Sequence, residues 1–174
     1  MIQRVLSAVF ACTVFSAMAL AQGGKPLSPP AQTSVTINGK TITVKYSAPS
    51  MRGRKIFGGL VPYGEVWRAG ANSATSLSTT GDLQIEDLKV PAGNYTLYAL
   101  PQQGGWTLIV NKQTGQWGTE YNESQDLGRV KMAVSKAPSP VETFKITLSN
   151  EGGNRGKLTM EWENTVASAP FTVQ

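Results

Sequence analysis

The chain has 174 residues and a formal net charge of +5, with one cysteine and no histidine. Without histidine it cannot form a Ser-His-Asp triad or a Cys-His pair, so the common nucleophilic hydrolases are excluded. Zinc, copper and iron–sulfur centres use histidine and cysteine ligands, and no Asp-rich calcium loop is present. We therefore expect no metal site, no cofactor and no catalytic residue of these classes.

The first 21 residues have the pattern of a cleavable signal peptide. Arg4 gives a positive start, residues 5–20 are uncharged and mostly apolar, and Ala19-Leu20-Ala21 is a small-x-small cleavage sequence. The apolar run is short for a membrane span. A retained membrane anchor is therefore the less favoured alternative, and Cys12 should be removed with the signal. We expect cleavage after Ala21 and a secreted or periplasmic protein.

Residues 22–32 are predicted to be a linker, because glycine and proline there interrupt regular structure. Residues 33–174 are predicted to form a single domain. Apolar and polar residues alternate within it in five clear runs, which is typical of half-buried strands. The apolar members of these runs are Ile42, Val44, Tyr46; Trp106, Leu108, Val110; Val130, Met132, Val134; Phe144, Ile146, Leu148; and Leu158, Met160, Trp162.

Turn sequences separate the predicted strands. Asn38-Gly39 predicts a two-residue hairpin because both residues tolerate positive φ, and residues 90–93 (VPAG) suit a type I turn. Glycines at 104–105 and 152–153 indicate two further hairpins. We predict an all-β fold, a jelly-roll-like antiparallel β-sandwich of about nine strands with no long helix. An up-and-down barrel is the alternative.

A long segment, residues 50–72, has neither strand nor helix periodicity. It is glycine-rich, basic and aromatic, and loops of this length are often functional. Residues 53–64 (GRKIFGGLVPYG) and 66–75 (VWRAGANSAT) resemble the signature of a bacterial family, domain of unknown function 2911. Residues 90–97, 106–112 and 116–118 are similar to that family as well. The resemblance implies an exported all-β domain and implies no activity.

Two hypotheses describe this segment. In the structural one, which we favour for the aromatic residues, Phe57, Leu60, Val61 and Trp67 close one end of the sandwich and Arg68 pairs with a carboxylate. In the functional one, basic side chains line a groove, since arginine offers forked donors to carboxylate, phosphate or sulfate. The candidate ligand-binding residues are Arg52, Arg54, Lys55, Tyr63, Trp67, Arg68, Asn72, Tyr98 and Trp117.

Three functions follow from these observations. The first is a non-catalytic exported domain that binds carbohydrate or a small anion at the long segment. The second is a carboxylate-dependent glycan hydrolase, which needs two facing acids in a cleft; Glu120 and Glu123 are a candidate pair. The third is a structural or protein-interaction domain of the cell envelope. Nucleic acid is not an expected partner because the basic residues are scattered, and the oligomeric state is left open.

Overall fold

The computed structural model describes residues 26–174, so the signal sequence and the cleavage site after Ala21 lie outside the described residues. β1 begins inside the range that we predicted to be a linker. Within the described range, no helix is long and apolar enough to cross a membrane. The elements are β1 Pro30–Ile37, β2 Lys40–Ser47, β3 Thr75–Thr79, β4 Leu83–Ile85, β5 Leu88–Val90, β6 Gly93–Gln102, β7 Gly105–Asn111, a 3₁₀ turn at Glu123–Gln125, β8 Asp126–Gly152 and β9 Arg155–Val173.

The strands confirm the all-β antiparallel prediction. They pair in the order β1-β2-β3-β6-β7-β8-β9-β4-β5, and every pairing is antiparallel. Asn38 and Gly39 join β1 to β2 with φ of 50° and 74°, the positive values that a type I′ hairpin requires. The predicted runs at Val130 and Phe144 belong to one long strand, β8.

β8 and β9 form a long two-stranded ribbon that folds back on itself. The 19 residues of β9 would span roughly 60 Å if fully extended. Its end nevertheless returns to its beginning, since the Val173 N–H donates to the Asn154 carbonyl at 2.8 Å and the Phe171 ring lies against Gly156. The bend coincides with shifts in the β8–β9 register and with Glu163 at φ 55°. The two halves of the ribbon therefore belong to two facing layers.

Side chains from β1 and β2 cover the edge of β8 that faces away from β9. The Ile146 N–H donates to Tyr46 Oη at 3.0 Å, and the Leu148 N–H donates to Thr33 Oγ1 at 3.1 Å. An open strand edge presents unpaired backbone groups that invite pairing with another chain. These hydroxyls satisfy that edge and join the first strands of the chain to the second layer.

The core lies between the two layers and contains most of the predicted apolar faces. Val134 is the exception, since we predicted it to be buried and its side chain is 43% exposed. The pairing of β8 with β7 ends at Met132. Beyond that residue β8 pairs with β9 alone, and Val134 is exposed although its partner on β9, Ala167, is buried.

Candidate functional site

The long connection between β2 and β3, residues 48–74, contains none of the nine strands, as we predicted. Phe57, Val61 and Trp67 are buried, which confirms the structural hypothesis for these three residues. Leu60 does not follow it and is 49% exposed. The Gly58 N–H donates to the Val61 carbonyl, and the tight turn so formed directs Val61 inward and leaves Leu60 outside.

Trp67 is the centre of an aromatic cluster that joins the β2–β3 connection to β7, β8 and β9. Its ring stacks on Trp162 of β9, with centroids 5.8 Å apart and planes inclined by 19°. It contacts Phe144 of β8 and Trp106 of β7 edge-on, at centroid distances of 4.9 Å and 6.3 Å. Large aromatic side chains contribute much of the apolar area buried in a core. The connection between β2 and β3 is therefore held in the core by its indole.

Glu163, at the bend of β9, binds the backbone of the same connection. Its carboxylate accepts the Ile56 N–H at 3.0 Å and the Phe57 N–H at 3.4 Å. Ile56 is fully buried, and a buried amide needs a partner. Glu163 was not among the predicted site residues, because nothing in the chain near it indicates a partner 107 positions away.

The basic part of the connection is ordered by main-chain contacts. The Arg52 N–H donates to a Glu142 carboxylate oxygen at 2.9 Å, and the Arg52 guanidinium donates to the Leu27 carbonyl at 2.9 Å. Arg54 curls back on its own turn, donating from Nε to the Met51 carbonyl and from Nη2 to a second carbonyl. These bonds use two of the donors of Arg54, and its other N–H groups form no hydrogen bond with the described residues.

A cleft of about 330 Å³ opens beside this segment. We call it the arginine cleft. Four of the candidate ligand-binding residues line it: Arg54, Trp67, Arg68 and Asn72. The complete lining is Leu27, Ser28, Pro49, Arg54, Leu60, Val61, Trp67, Arg68, Gly70, Ala71, Asn72 and Trp162.

The other five candidates lie outside the lining. Arg52, Lys55 and Tyr63 are exposed on the outer side of the segment. Tyr98 is buried, and its hydroxyl accepts from Gln116 Nε2 at 3.0 Å. Trp117 is 51% exposed and lies next to the cleft, because its backbone bridges to Ser73.

Arg68 has a buried hydrogen-bond donor without a partner among the described residues. The expectation that it pairs with a carboxylate is wrong, since none of the ion pairs within residues 26–174 includes Arg68. Its Nε is buried and has no hydrogen-bond partner in the described part of the chain. A buried donor without a partner is costly and rare in native proteins. No carboxylate belongs to the cleft lining, so the missing acceptor is not one of the acidic side chains of the described residues.

The segment around Trp117 holds Arg68 in place. The Gly118 N–H donates to the Asn72 carbonyl at 3.0 Å, and Asn72 has φ 59°. The aliphatic stem of Arg68 lies directly over Gly118, in space that a Cβ would occupy. Position 118 must therefore be glycine, because a side chain there would clash with the stem of Arg68.

The family model described as Protein of unknown function (DUF2911) matches residues 28–171. The chain belongs to this family. No curated protein and no solved structure matches the chain. In this DUF2911 protein, three of the five stretches that carried the resemblance, residues 53–64, 66–75 and 116–118, come together at the arginine cleft. The most distinctive sequence of the chain therefore surrounds the one arginine Nε that is both buried and unpartnered among the described residues.

A second polar cluster of the DUF2911 protein joins the loop before β8 to the first residues of that strand. Tyr121 donates to Asp126 at 2.6 Å, and the Arg129 guanidinium donates to Asp126 and to the Tyr121 oxygen. Burial and the hydrogen bond to Asp126 raise the pKa of Tyr121 to about 12. Arg129 also pairs with Glu123 at 2.8 Å. These groups satisfy one another, which is typical of a structural network.

The candidate acids of a hydrolase do not lie in the arginine cleft. Glu123 is engaged by Arg129, and neither Glu120 nor Glu123 belongs to the lining. Across the described residues, no three histidine, cysteine, aspartate or glutamate side chains are grouped closely enough to hold a metal ion.

Proposed function

We propose that this DUF2911 protein is an exported, non-catalytic binding domain whose arginine cleft captures a small anionic group. The observation that carries the proposal is the buried Arg68 Nε, which has no partner among the described residues and belongs to a side chain that lines the cleft. Because Nε itself is closed to solvent, a carboxylate, phosphate or sulfate oxygen would bind the terminal N–H groups of the same guanidinium, which form no hydrogen bond with the described residues.

The lining of the cleft favours an anion over a neutral sugar. Arginine side chains only donate hydrogen bonds, and two of them, Arg54 and Arg68, line the cleft. Sugar hydroxyls must also donate, and the strongest side-chain acceptors, carboxylates, are missing from the lining. The oxygens of sulfate and of a carboxylate only accept hydrogen bonds, so these anions match the donors of the two arginines.

The same absence of carboxylates supports a non-catalytic role. Glycoside hydrolysis needs two acids facing each other across the scissile bond, and the lining supplies neither. Export is supported by the sequence of residues 1–21, with its positive start, apolar run and Ala19-Leu20-Ala21 cleavage sequence.

The proposal is tested by calorimetric titration of the purified protein with sodium sulfate, phosphate and acetate, and with glucose as the neutral reference. We expect the anions to bind and glucose not to bind. An anion at 100 times its Kd should also stabilise the fold by about 2.7 kcal/mol. Because the attraction is between charges, added sodium chloride should weaken it.

Arg68→Gln and Arg54→Gln are the decisive variants, and Arg155→Gln is the matched control, because Arg155 is an exposed arginine outside the cleft. Arg68→Gln should lower anion affinity at least about tenfold, the equivalent of 1.4 kcal/mol, while Arg155→Gln should leave it unchanged. Glucose binding without anion binding would contradict the proposal. So would full anion affinity in Arg68→Gln.

A further inference from the structure

We infer that the ligand of the arginine cleft is an amphipathic anion, in which the acidic group is attached to an apolar body such as an alkyl chain or an aromatic ring. This inference rests on the proposed function and narrows it. The arginines fix one end of the ligand, and the remaining lining determines what the other end must be.

The cleft offers few side-chain partners besides its two arginines. The neutral polar side chains of the lining are only Ser28 and Asn72, and the indoles of Trp67 and Trp162 are 9% and 2% exposed. The polyhydroxyl body of a sugar acid would lose hydrogen bonds to water that these few groups cannot replace. An apolar body loses none, and it removes the exposed apolar side chains of the lining from water, which is favourable.

Two exposed leucines add to the apolar surface at the cleft. Leu27 is 70% exposed and Leu60 is 49% exposed, and both line the cleft. They come from separate parts of the chain, which are joined by the bond from the Arg52 guanidinium to the Leu27 carbonyl. Single exposed leucines are ordinary on a protein surface, but here two lie beside the same pair of arginines. They offer apolar area that a bound alkyl or aryl group would cover.

The size of the cleft limits the apolar body. Its volume of about 330 Å³ is at the lower end of the range for small-molecule sites. One ring or a short chain beside the acidic group fits that volume. A long acyl chain or an oligosaccharide would extend beyond it.

The test compares four sodium salts that share one carboxylate: acetate, hexanoate, benzoate and glucuronate. Each is titrated calorimetrically into the purified protein at constant ionic strength. We expect hexanoate, benzoate or both to bind at least about tenfold more tightly than acetate, the effect of burying roughly two methylene groups. Glucuronate should bind no more tightly than acetate. The comparison of hexanoate with benzoate distinguishes an alkyl from an aryl body.

Leu60→Ser should narrow the ratio of hexanoate to acetate affinity. Val134→Ser is its control, because Val134 is similarly exposed and lies outside the cleft lining, and it should leave the ratio unchanged. If glucuronate or acetate binds as tightly as hexanoate and benzoate, and Arg68→Gln weakens all four, the inference is wrong and the proposed function stands. If no carboxylate binds but sulfate or phosphate does, the inference is likewise wrong and the proposed function stands. If none of these anions binds, or Arg68→Gln weakens none of them, both fail.

Discussion

The stem of Arg68 lies across the backbone of Gly118, where no side chain fits between them. We expect Gly118→Ala to displace the arginine and to crowd the Asn72 carbonyl oxygen, which would lie 2.6 Å from the added methyl carbon. Overpacking of this kind destabilises a fold by about 1–3 kcal/mol, and anion affinity should fall with it. Chemical unfolding and calorimetric titration measure the two effects.

Gly104→Ala is the matched control for that substitution. Gly104 is exposed, has no atom near its Cβ position and does not have a left-handed backbone. Its replacement should change stability by no more than about 0.5 kcal/mol and leave binding intact. Equal behaviour of the two variants would show that the space over Gly118 does not determine the position of Arg68.

Glu163 should contribute to stability through the two amides that it accepts. Glu163→Ala leaves the fully buried Ile56 N–H without its partner, and an unsatisfied buried donor costs about 1–3 kcal/mol. Glu161→Ala is the control, because the Glu161 carboxylate pairs with Lys145 at 3.7 Å on the surface. Such a pair contributes about 0–1 kcal/mol. Urea unfolding should rank Glu163→Ala well below Glu161→Ala in stability, and the reverse order would contradict the anchoring role.

The hydroxyl of Tyr46 should protect the edge of β8. Tyr46→Phe keeps the ring and removes the acceptor of the buried Ile146 N–H, so we expect a loss of about 1–3 kcal/mol. Tyr63→Phe removes a hydroxyl from an exposed ring and should have an effect within about 0.5 kcal/mol. Hydrogen exchange of the Ile146 amide adds a local readout. Unchanged protection of that amide in Tyr46→Phe would exclude the proposed contact.

Alkaline pH should weaken the fold through Tyr121. Burial and the hydrogen bond to Asp126 raise the pKa of its phenol from the ordinary 10.0 to about 12, so the folded protein holds this proton more tightly than the unfolded chain. The resulting stabilisation is complete below about pH 10 and is lost as the pH rises towards about 12.

Urea unfolding of the wild-type protein and of Tyr121→Phe across this pH range checks the prediction. The stability difference between the two proteins should shrink as the pH rises above about 10, because the phenylalanine has no proton to lose. A difference that stays constant from about pH 9 to about 11.5 would show that the phenol titrates normally.

Local sequence predicted much of the strand structure, because strand periodicity is a property of neighbouring residues. Alternation placed Leu108 and Met160 on buried faces, and Asn38-Gly39 set the first hairpin. The fold-back of the β8–β9 ribbon was not predictable, since it depends on contacts such as Val173 to Asn154 between distant ends of one strand. The alternation also continued to Val134, which lies beyond the last β8 residue that pairs with β7.

The candidate site was predictable only in part. Arg54, Trp67, Arg68 and Asn72 share one stretch of unusual composition, and all four line the cleft. Tyr98 was chosen for its aromatic ring alone, and that ring is buried elsewhere. Leu27 and Trp162 complete the cleft from opposite ends of the described chain, and no local pattern links them to it.

The position of Trp162 determines when the cleft forms during folding. The cleft combines Leu27, near the beginning of the described chain, with Trp162 of the last strand. The Ile56 N–H can form its hydrogen bond only when Glu163 of that strand is in place. Folds dominated by such distant pairings form slowly, in about milliseconds to seconds. Anion binding should therefore appear late in refolding, together with β9, and a chain truncated before Arg155 should have no affinity for the ligand.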